Sequence, residues 1–457
     1  VIEEGLVDRL RALQRRLRRV DTTACRGTIE NVLGLTIESR GPMARIGDVC
    51  EISTPRGTIM AEVISVGEMV KLMPLGSIYE VSPGDTVVSY GETLSVNVSD
   101  DILGRVVNGI GEPIDDRGTL PQGELMPVIS PALNPLKRER ITEPLPVGIR
   151  AIDGILTAGK GQRMGIFAGS GVGKSTLLGM IAKNTAADVV VLGLIGERGR
   201  EVREFIEKEL GEEGLKRSVV VAATSDESPL MRLRGAFTAT AIAEYFRDQG
   251  NDVMLLMDSV SRFARAQREI ALAMGEVPGQ RGYPPSVFYQ LPLLLERVGS
   301  NARGSITAFY TVLIDADDMN EPISDAVRGV LDGHIALDRG LADKGHWPAI
   351  DVLGSISRSM NTVVTPDHRE AAGKLTENLA LYRGVEDMLT LNVYSRGSNA
   401  QTDYAIDKYE EMTAFLRQGI EERSGLPETV QALKAIFTKE KTSDDDEAPK
   451  RRRLLNA

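Results

Sequence analysis

The sequence predicts a mixed α/β chain: a parallel sheet covered by helices at its centre, a small β-barrel before it and a helical domain after it. Three observations carry this. Short β-rich runs punctuated by turn signals fill residues 22–96, buried-type strands then alternate with helical segments to about Asn361, and from Pro366 the strand signals fade. The expected divisions are 1–21, 22–96, 97–364, 365–440 and 441–457.

Composition bounds what such a chain can do. At 457 residues, two to four domains are expected. A hydrophobic content of 42% and a charged content of 26% suit a soluble globular protein. The longest apolar runs, such as Val189 to Ile195, fall far short of the ~20 residues that span a bilayer. The net charge of −11 argues against wholesale nucleic-acid binding. Cys25 and Cys50 are too few for a disulfide framework and are expected as buried thiols in a reducing compartment. His334, His346 and His368 lack metal-ligand spacing, so no zinc site is expected.

Residues 1–20 pattern as an amphipathic helix. Leu6, Leu10, Leu13 and Leu17 share one face, and Arg9, Arg11, Arg15, Arg16, Arg18 and Arg19 dominate the rest. Two readings stand open: a helix docked on its own domain, or a contact with a partner helix or an anionic membrane surface. The runs Gly27–Val32, Val49–Ile52, Ile59–Val66 and Thr86–Ser89 alternate with turn signals such as Pro55-Arg-Gly57 and Pro83-Gly-Asp85, which predicts the barrel. Met164–Ala168, Val189–Ile195, Val219–Ala223, Val253–Met257 and Ile306–Leu313 read as buried strands, with Glu201–Leu210 and Ala236–Arg247 among the helices between them. Lys374–Leu391 and Asp403–Arg417 read as helices of the last domain. Asp444–Glu447 and Lys450–Arg453 form a charged tail.

The chemistry is concentrated after the strand that ends at Ala168. Gly169-Ser170-Gly171-Val172-Gly173-Lys174-Ser175-Thr176 joins that strand to an apolar helix. Small residues let the backbone curl so that successive N–H groups face phosphate oxygens, and the helix N-terminus adds its dipole. Lys174 is placed to reach the β- and γ-phosphates and Ser175 to ligate Mg²⁺, which predicts Mg·ATP binding. Ala168 stands where the pattern has its first glycine, and is tolerable with ordinary strand dihedrals. Asp258, ending the apolar run Val253–Met257, is the candidate to hold the metal through water; a helix cap is the alternative. Glu197, just past Ile195 in Gly196-Glu-Arg-Gly-Arg200-Glu201, is the candidate to orient or deprotonate the attacking water. Arg198 beside it is a candidate to steady phosphate or the carboxylate. Glu201 reads equally as a helix-start charge.

These motifs, with Pro348-Ala-Ile-Asp351-Val-Leu-Gly-Ser355-Ile-Ser357 and Leu103-Gly-Arg-Val-Val-Asn-Gly-Ile-Gly-Glu-Pro113, resemble the rotary ATP synthase α/β subunit family over nearly the whole chain. Arg281-Gly-Tyr-Pro-Pro-Ser-Val-Phe288, Leu294-Leu-Glu-Arg297, Asp317-Asp-Met-Asn-Glu-Pro322 and Leu331-Asp-Gly-His334 resemble its export ATPases of flagella and type III secretion systems, the flagellar branch foremost. The resemblance implies a RecA-like ATPase core, a homohexameric ring with sites between neighbours, and a cytoplasmic position at the inner face of the cell membrane. It implies that Glu197 is the catalytic carboxylate, Arg358 an arginine finger from the adjacent subunit, and Glu201 a further metal-side carboxylate. It places Trp347 against adenine, although a core role stays open, and adds Gln418 to the nucleotide site. Implied partners are a stator-like regulatory export protein at the N-terminal helix, a central-stalk export protein, chaperone–cargo complexes, export-gate membrane proteins and anionic lipid, with no nucleic acid. The stretch Val393–Thr402 lacks the acidic loop by which the synthase β subunit touches its shaft, which weighs against a proton-translocating subunit. A ring-shaped RNA translocase is disfavoured because no aromatic residue precedes Tyr79.

Overall fold

The computed structural model describes residues 25–314 and 318–438. The segment expected as an N-terminal helix, the charged stretch 441–457 and Asp317 lie outside the described residues.

Six strands close the first unit into a barrel: β1 (Cys25–Leu33), β2 (Thr36–Arg40), β3 (Asp48–Thr54), β4 (Gly57–Val66), β5 (Val70–Pro74) and β6 (Thr86–Thr93), ordered β1-β2-β5-β4-β3-β6. Alternation explains it. Ile29, Ile37, Cys50, Ile52, Val63, Leu72 and Val87 point inward and form one core, while their neighbours face out. Cys50 is buried, and burial pushes its thiol up to about 11. Cys25 is only half-buried, against expectation, because it opens the strand at the barrel rim.

β2 and β5 escaped the sequence reading. β2, Thr-Ile-Glu-Ser-Arg, buries two polar residues, and each satisfies its hydroxyl on a backbone carbonyl: Thr36 on Leu33 and Ser39 on Thr28.

A two-stranded ribbon, β7 (Ser95–Val98) with β9 (Glu124–Pro127), links barrel and core, so the join expected at 96/97 falls inside a strand. The buried carboxylate of Glu62 on β4 pairs with Arg234, on the helix Pro229–Asp248, across the same join.

The central sheet has eight strands: β8 (Val106–Val107), β10 (Arg163–Ala168), β11 (Val189–Ile195), β12 (Ser218–Ala223), β13 (Asp252–Asp258), β14 (Ser305–Leu313), β15 (Gly333–Leu337) and β16 (Ile350–Ser357). Their order is β16-β15-β10-β14-β13-β11-β12-β8. Every pair is parallel except β15–β16. The parallel sheet expected from the sequence is thus present, with one antiparallel strand added at its edge. That strand carries the Pro348–Ser357 segment and alternates buried and open residues, as an edge strand does. Central strands such as β11 are buried at every position.

Helices cover both faces and divide the core into two apolar layers. The segment Glu201–Leu210, expected as one helix, runs as an α-turn over Gly199–Glu204 and a π-helical turn over Phe205–Leu210. The C-terminal unit consists mainly of the helices Pro366–Thr390, Ala400–Leu416 and Leu426–Phe437. The first is capped by Thr365 and the second by Asn399.

Several stretches that marked the family resemblance serve the scaffold. Arg297, fully buried, grips Glu244 through Nε at 2.9 Å and donates to the Val128 carbonyl at 2.6 Å. Asp332 pairs with Arg163 at 2.9 Å at the start of β10.

Candidate active site

The phosphate loop leaves the C-terminal end of β10, where a parallel sheet opens a crevice for ligands. Ala168 is the last residue of β10, in register with Leu313 and with ordinary negative φ, so the missing glycine costs the loop nothing. Gly171 (φ +77°) and Gly173 (φ +84°) take the left-handed conformation that curls the chain. The helix Lys174–Asn184 starts directly after Gly173, its first turn open toward the loop.

A cleft of about 570 Å³ forms over this turn. Gly169, Ser170, Gly171, Gly173, Lys174, Ser175 and Thr176 line one side, and Glu197, Arg198 and Glu201 the other. Val172 is buried and anchors the loop into the core instead of lining the cleft.

Three charges meet at the base. Lys174 Nζ stands 2.5 Å from Asp258 Oδ1 and 3.6 Å from Glu197 Oε1. Glu197 is 8% exposed. Burial first, and the neighbouring Asp258 second, push its carboxyl up to about 7, with Lys174 pulling the other way. A carboxyl poised there can take a proton from water near neutral pH. Asp258 is 4% exposed and ends β13. The cap of the following helix, Val260–Ala273, is Ser259, whose hydroxyl accepts from the Arg262 amide. The capping alternative for Asp258 is thereby removed.

The remaining predicted residues fall into three groups. Arg198 is largely exposed and reaches Glu201 at 3.4 Å, so the carboxylate it meets is Glu201 and not Glu197. Trp347 lies against the loop: a Cβ added to Gly173 would sit 2.7 Å from its Cζ3. Gln418 lies behind it and donates its backbone N–H to the Trp347 carbonyl at 2.9 Å. The Gln418 side chain is taken up by the fold, accepting from the Arg150 amide and donating to the Gly148 and Glu422 carbonyls. Arg358 is exposed and does not line the cleft of its own chain. It follows Ser357, which pairs with Gly333 at the beginning of β15, so it stands at the far end of the edge strands from the loop.

Four residues were missed. Arg262 and Arg265, one turn apart on the helix after Asp258, line the cleft. Their i, i+3 spacing behind the carboxylate was a legible signal. Arg339 also lines it and donates to the Ser170 carbonyl at 2.9 Å. Thr311 donates to Asp258 Oδ1 at 2.7 Å. Neither of these last two has a local motif, since each is brought in by a strand or helix distant in sequence.

A strand-to-helix phosphate loop with a cleft carboxylate and a strand-end aspartate defines a P-loop nucleotidase. The nucleotide-binding domain of the ATP synthase alpha/beta family matches residues 148–357, and the T3SS EscN ATPase C-terminal domain matches residues 364–435. The "Flagellum-specific ATP synthase" of Bacillus subtilis is 55% identical over 417 residues, covering 90% of this chain and 94% of that one. The "Type 3 secretion system ATPase" of Xanthomonas euvesicatoria is 48% identical, covering 90% and 93%. The assembled ATPase EscN of enteropathogenic E. coli superposes with a TM-score of 0.86 at 44% identity, covering 90% of this chain and 100% of that one. The chain belongs to the ATP synthase alpha/beta family, and it is an ATPase.

Proposed function

We propose that this ATPase energises protein export through a flagellar type III apparatus, hydrolysing Mg·ATP at sites shared between neighbours in a homohexameric ring. The observation that carries the reading is the cleft itself. Lys174, Asp258 and Glu197 converge under the phosphate loop, while Arg358 is exposed and lies away from its own chain's cleft, which supports a role toward a neighbour.

The loop amides, Lys174 and the helix N-terminus bind the phosphates. Glu197, held near neutral pKa, orients the attacking water and accepts its proton. Arg358 of an adjacent subunit neutralises charge on the γ-phosphate oxygens, a contribution worth ~10³ to 10⁵ in rate where such fingers act. Trp347 flanks the nucleotide beside Gly173, and Gln418 supports it from behind. Arg198 and Glu201 form the cleft's outer polar wall.

Among the described residues no group of three or more His, Cys, Asp or Glu side chains makes a ready-made metal cage. That suits Mg²⁺, which binds through one or two carboxylates and substrate phosphates. Ser175 and Asp258 are the oxygen donors that fit it, with Glu201 further out. When bound, Mg²⁺ supplies neutralisation of phosphate charge.

EscN has been solved with its central stalk EscO, which supports a central-stalk partner here. Among the described residues no helix is long and apolar enough to cross a membrane, in keeping with a peripheral position at the export apparatus. The stator-like protein, chaperone–cargo complexes, gate proteins and anionic lipid remain the proposed contacts beyond the ring.

The deciding experiment deletes the gene and complements it with the wild-type chain or with Glu197→Gln. Filament assembly restored only by the wild type supports flagellar export. Restoration of effector secretion with filaments unaffected assigns the chain to an injection apparatus.

A further inference from the structure

We propose that Thr311 is the positioning residue for Asp258, holding the carboxylate in its metal-facing orientation when Lys174 turns to the nucleotide. The inference rests on reading Asp258 as the metal-side carboxylate.

Thr311 sits near the end of β14, between β10 and β13, and is fully inaccessible. A hydroxyl there carries a desolvation cost unless it is bonded. Its Oγ1 lies 2.7 Å from Asp258 Oδ1 and 3.3 Å from the Met257 carbonyl. A threonine has one O–H, and the short charge-assisted contact claims it. The β-branch fixes χ1, so the hydroxyl is held in one direction by the strand itself.

Oδ1 of Asp258 receives two side-chain donors among the described residues, Thr311 and Lys174. The two differ in what happens next. Lys174 lies on the phosphate loop and is drawn to β- and γ-phosphate oxygens when nucleotide binds. Thr311 lies on a central strand and stays. Once Lys174 leaves, Thr311 is the donor that keeps Oδ1 occupied and limits rotation of the carboxylate. An aspartate lacking that contact is free to rotate, and its help to the metal is lost in proportion.

The test compares Thr311→Val, Thr311→Ser and Asp258→Asn in the full-length protein. The readout is equilibrium binding of a non-hydrolysable ATP analogue, once with Mg²⁺ and once with EDTA. Thr311→Val keeps the shape and removes the donor. It is expected to weaken binding with Mg²⁺ about tenfold or more, the scale of a hydrogen bond to a charged group, and to leave binding in EDTA unchanged. Thr311→Ser restores the donor and should recover Mg²⁺-dependent binding to within about threefold of wild type. Should Thr311→Val fail to fold, Thr311→Cys supplies a second removal of the strong donor. Equal weakening with and without Mg²⁺, unchanged binding in both, or failure of serine to rescue overturns the proposal. Asp258→Asn separates the two readings. If it keeps full Mg²⁺ dependence, the assignment of Asp258 itself is wrong; if it loses that dependence while Thr311→Val does not, only the role of Thr311 falls.

Discussion

Gly171 and Gly173 offer a controlled comparison inside the phosphate loop. Both are left-handed, at φ +77° and +84°. An added Cβ at Gly171 meets nothing within 4 Å, whereas at Gly173 it would stand 2.7 Å from Trp347 Cζ3. Alanine in the left-handed region costs ~1–2 kcal/mol, which is about 5- to 30-fold in nucleotide affinity if the free loop relaxes and binding must restore it. That should be the whole effect of Gly171→Ala. Gly173→Ala must also move the indole by about 1 Å to reach a normal carbon–carbon separation. An overpacked contact of this kind adds ~1–3 kcal/mol, a further factor of about 5 to 150. Trp347 is the only tryptophan, so its fluorescence follows nucleotide titration directly and should shift in the Gly173 variant alone. A second assay with a labelled nucleotide then measures Gly173→Ala in a Trp347→Ala background, where the extra factor should vanish while the dihedral cost remains. Equal losses for Gly171→Ala and Gly173→Ala, or an extra factor that survives Trp347→Ala, would refute the packing of Trp347 on the loop.

Further outcomes are expected from other parts of the molecule. Lys174→Ala should abolish turnover and weaken nucleotide binding, while Glu197→Gln should bind Mg·ATP and not turn it over; normal turnover in Glu197→Gln removes that carboxylate from the mechanism. Because burial and Asp258 raise the Glu197 pKa to about 7, its base form is lost as pH falls through 7. The pH profile of kcat/KM should therefore drop on the acid side near neutrality, and a profile flat down to pH 5 contradicts the assignment. Arg297→Met leaves Glu244 buried without its partner and should cost ~3–5 kcal/mol in urea unfolding, with Glu244→Gln added in the same chain recovering part of the loss.

The parts of this chain legible in advance were those whose signals are local. The phosphate loop is a contiguous run, Glu197 and Asp258 each follow an apolar strand, and β11 could be read to the residue because every position in it is buried. Legibility failed where structure depends on distant partners. β2 looks polar because a closed barrel satisfies Thr36 and Ser39 from neighbouring backbone, and β5, Val-Lys-Leu-Met-Pro, is too short a run to stand out. β15 and β16 were hidden because a short edge pair carries little apolar run of its own. Thr311 and Arg339 reach the site only through strand order and loop packing. Gln418 came from resemblance, and its saturated side chain shows that lying behind Trp347 is not the same as facing a nucleotide.

The central claim is an active site completed across a subunit boundary. Its most direct test mixes two inactive proteins, Lys174→Ala and Arg358→Ala, and measures ATP hydrolysis. In randomly mixed rings with head-to-tail contacts, about a quarter of the interfaces pair an intact phosphate loop with an intact arginine. Activity should reappear on mixing, toward that fraction of the wild-type rate. Mixtures that stay as inactive as their components, although the subunits exchange, would contradict a shared site.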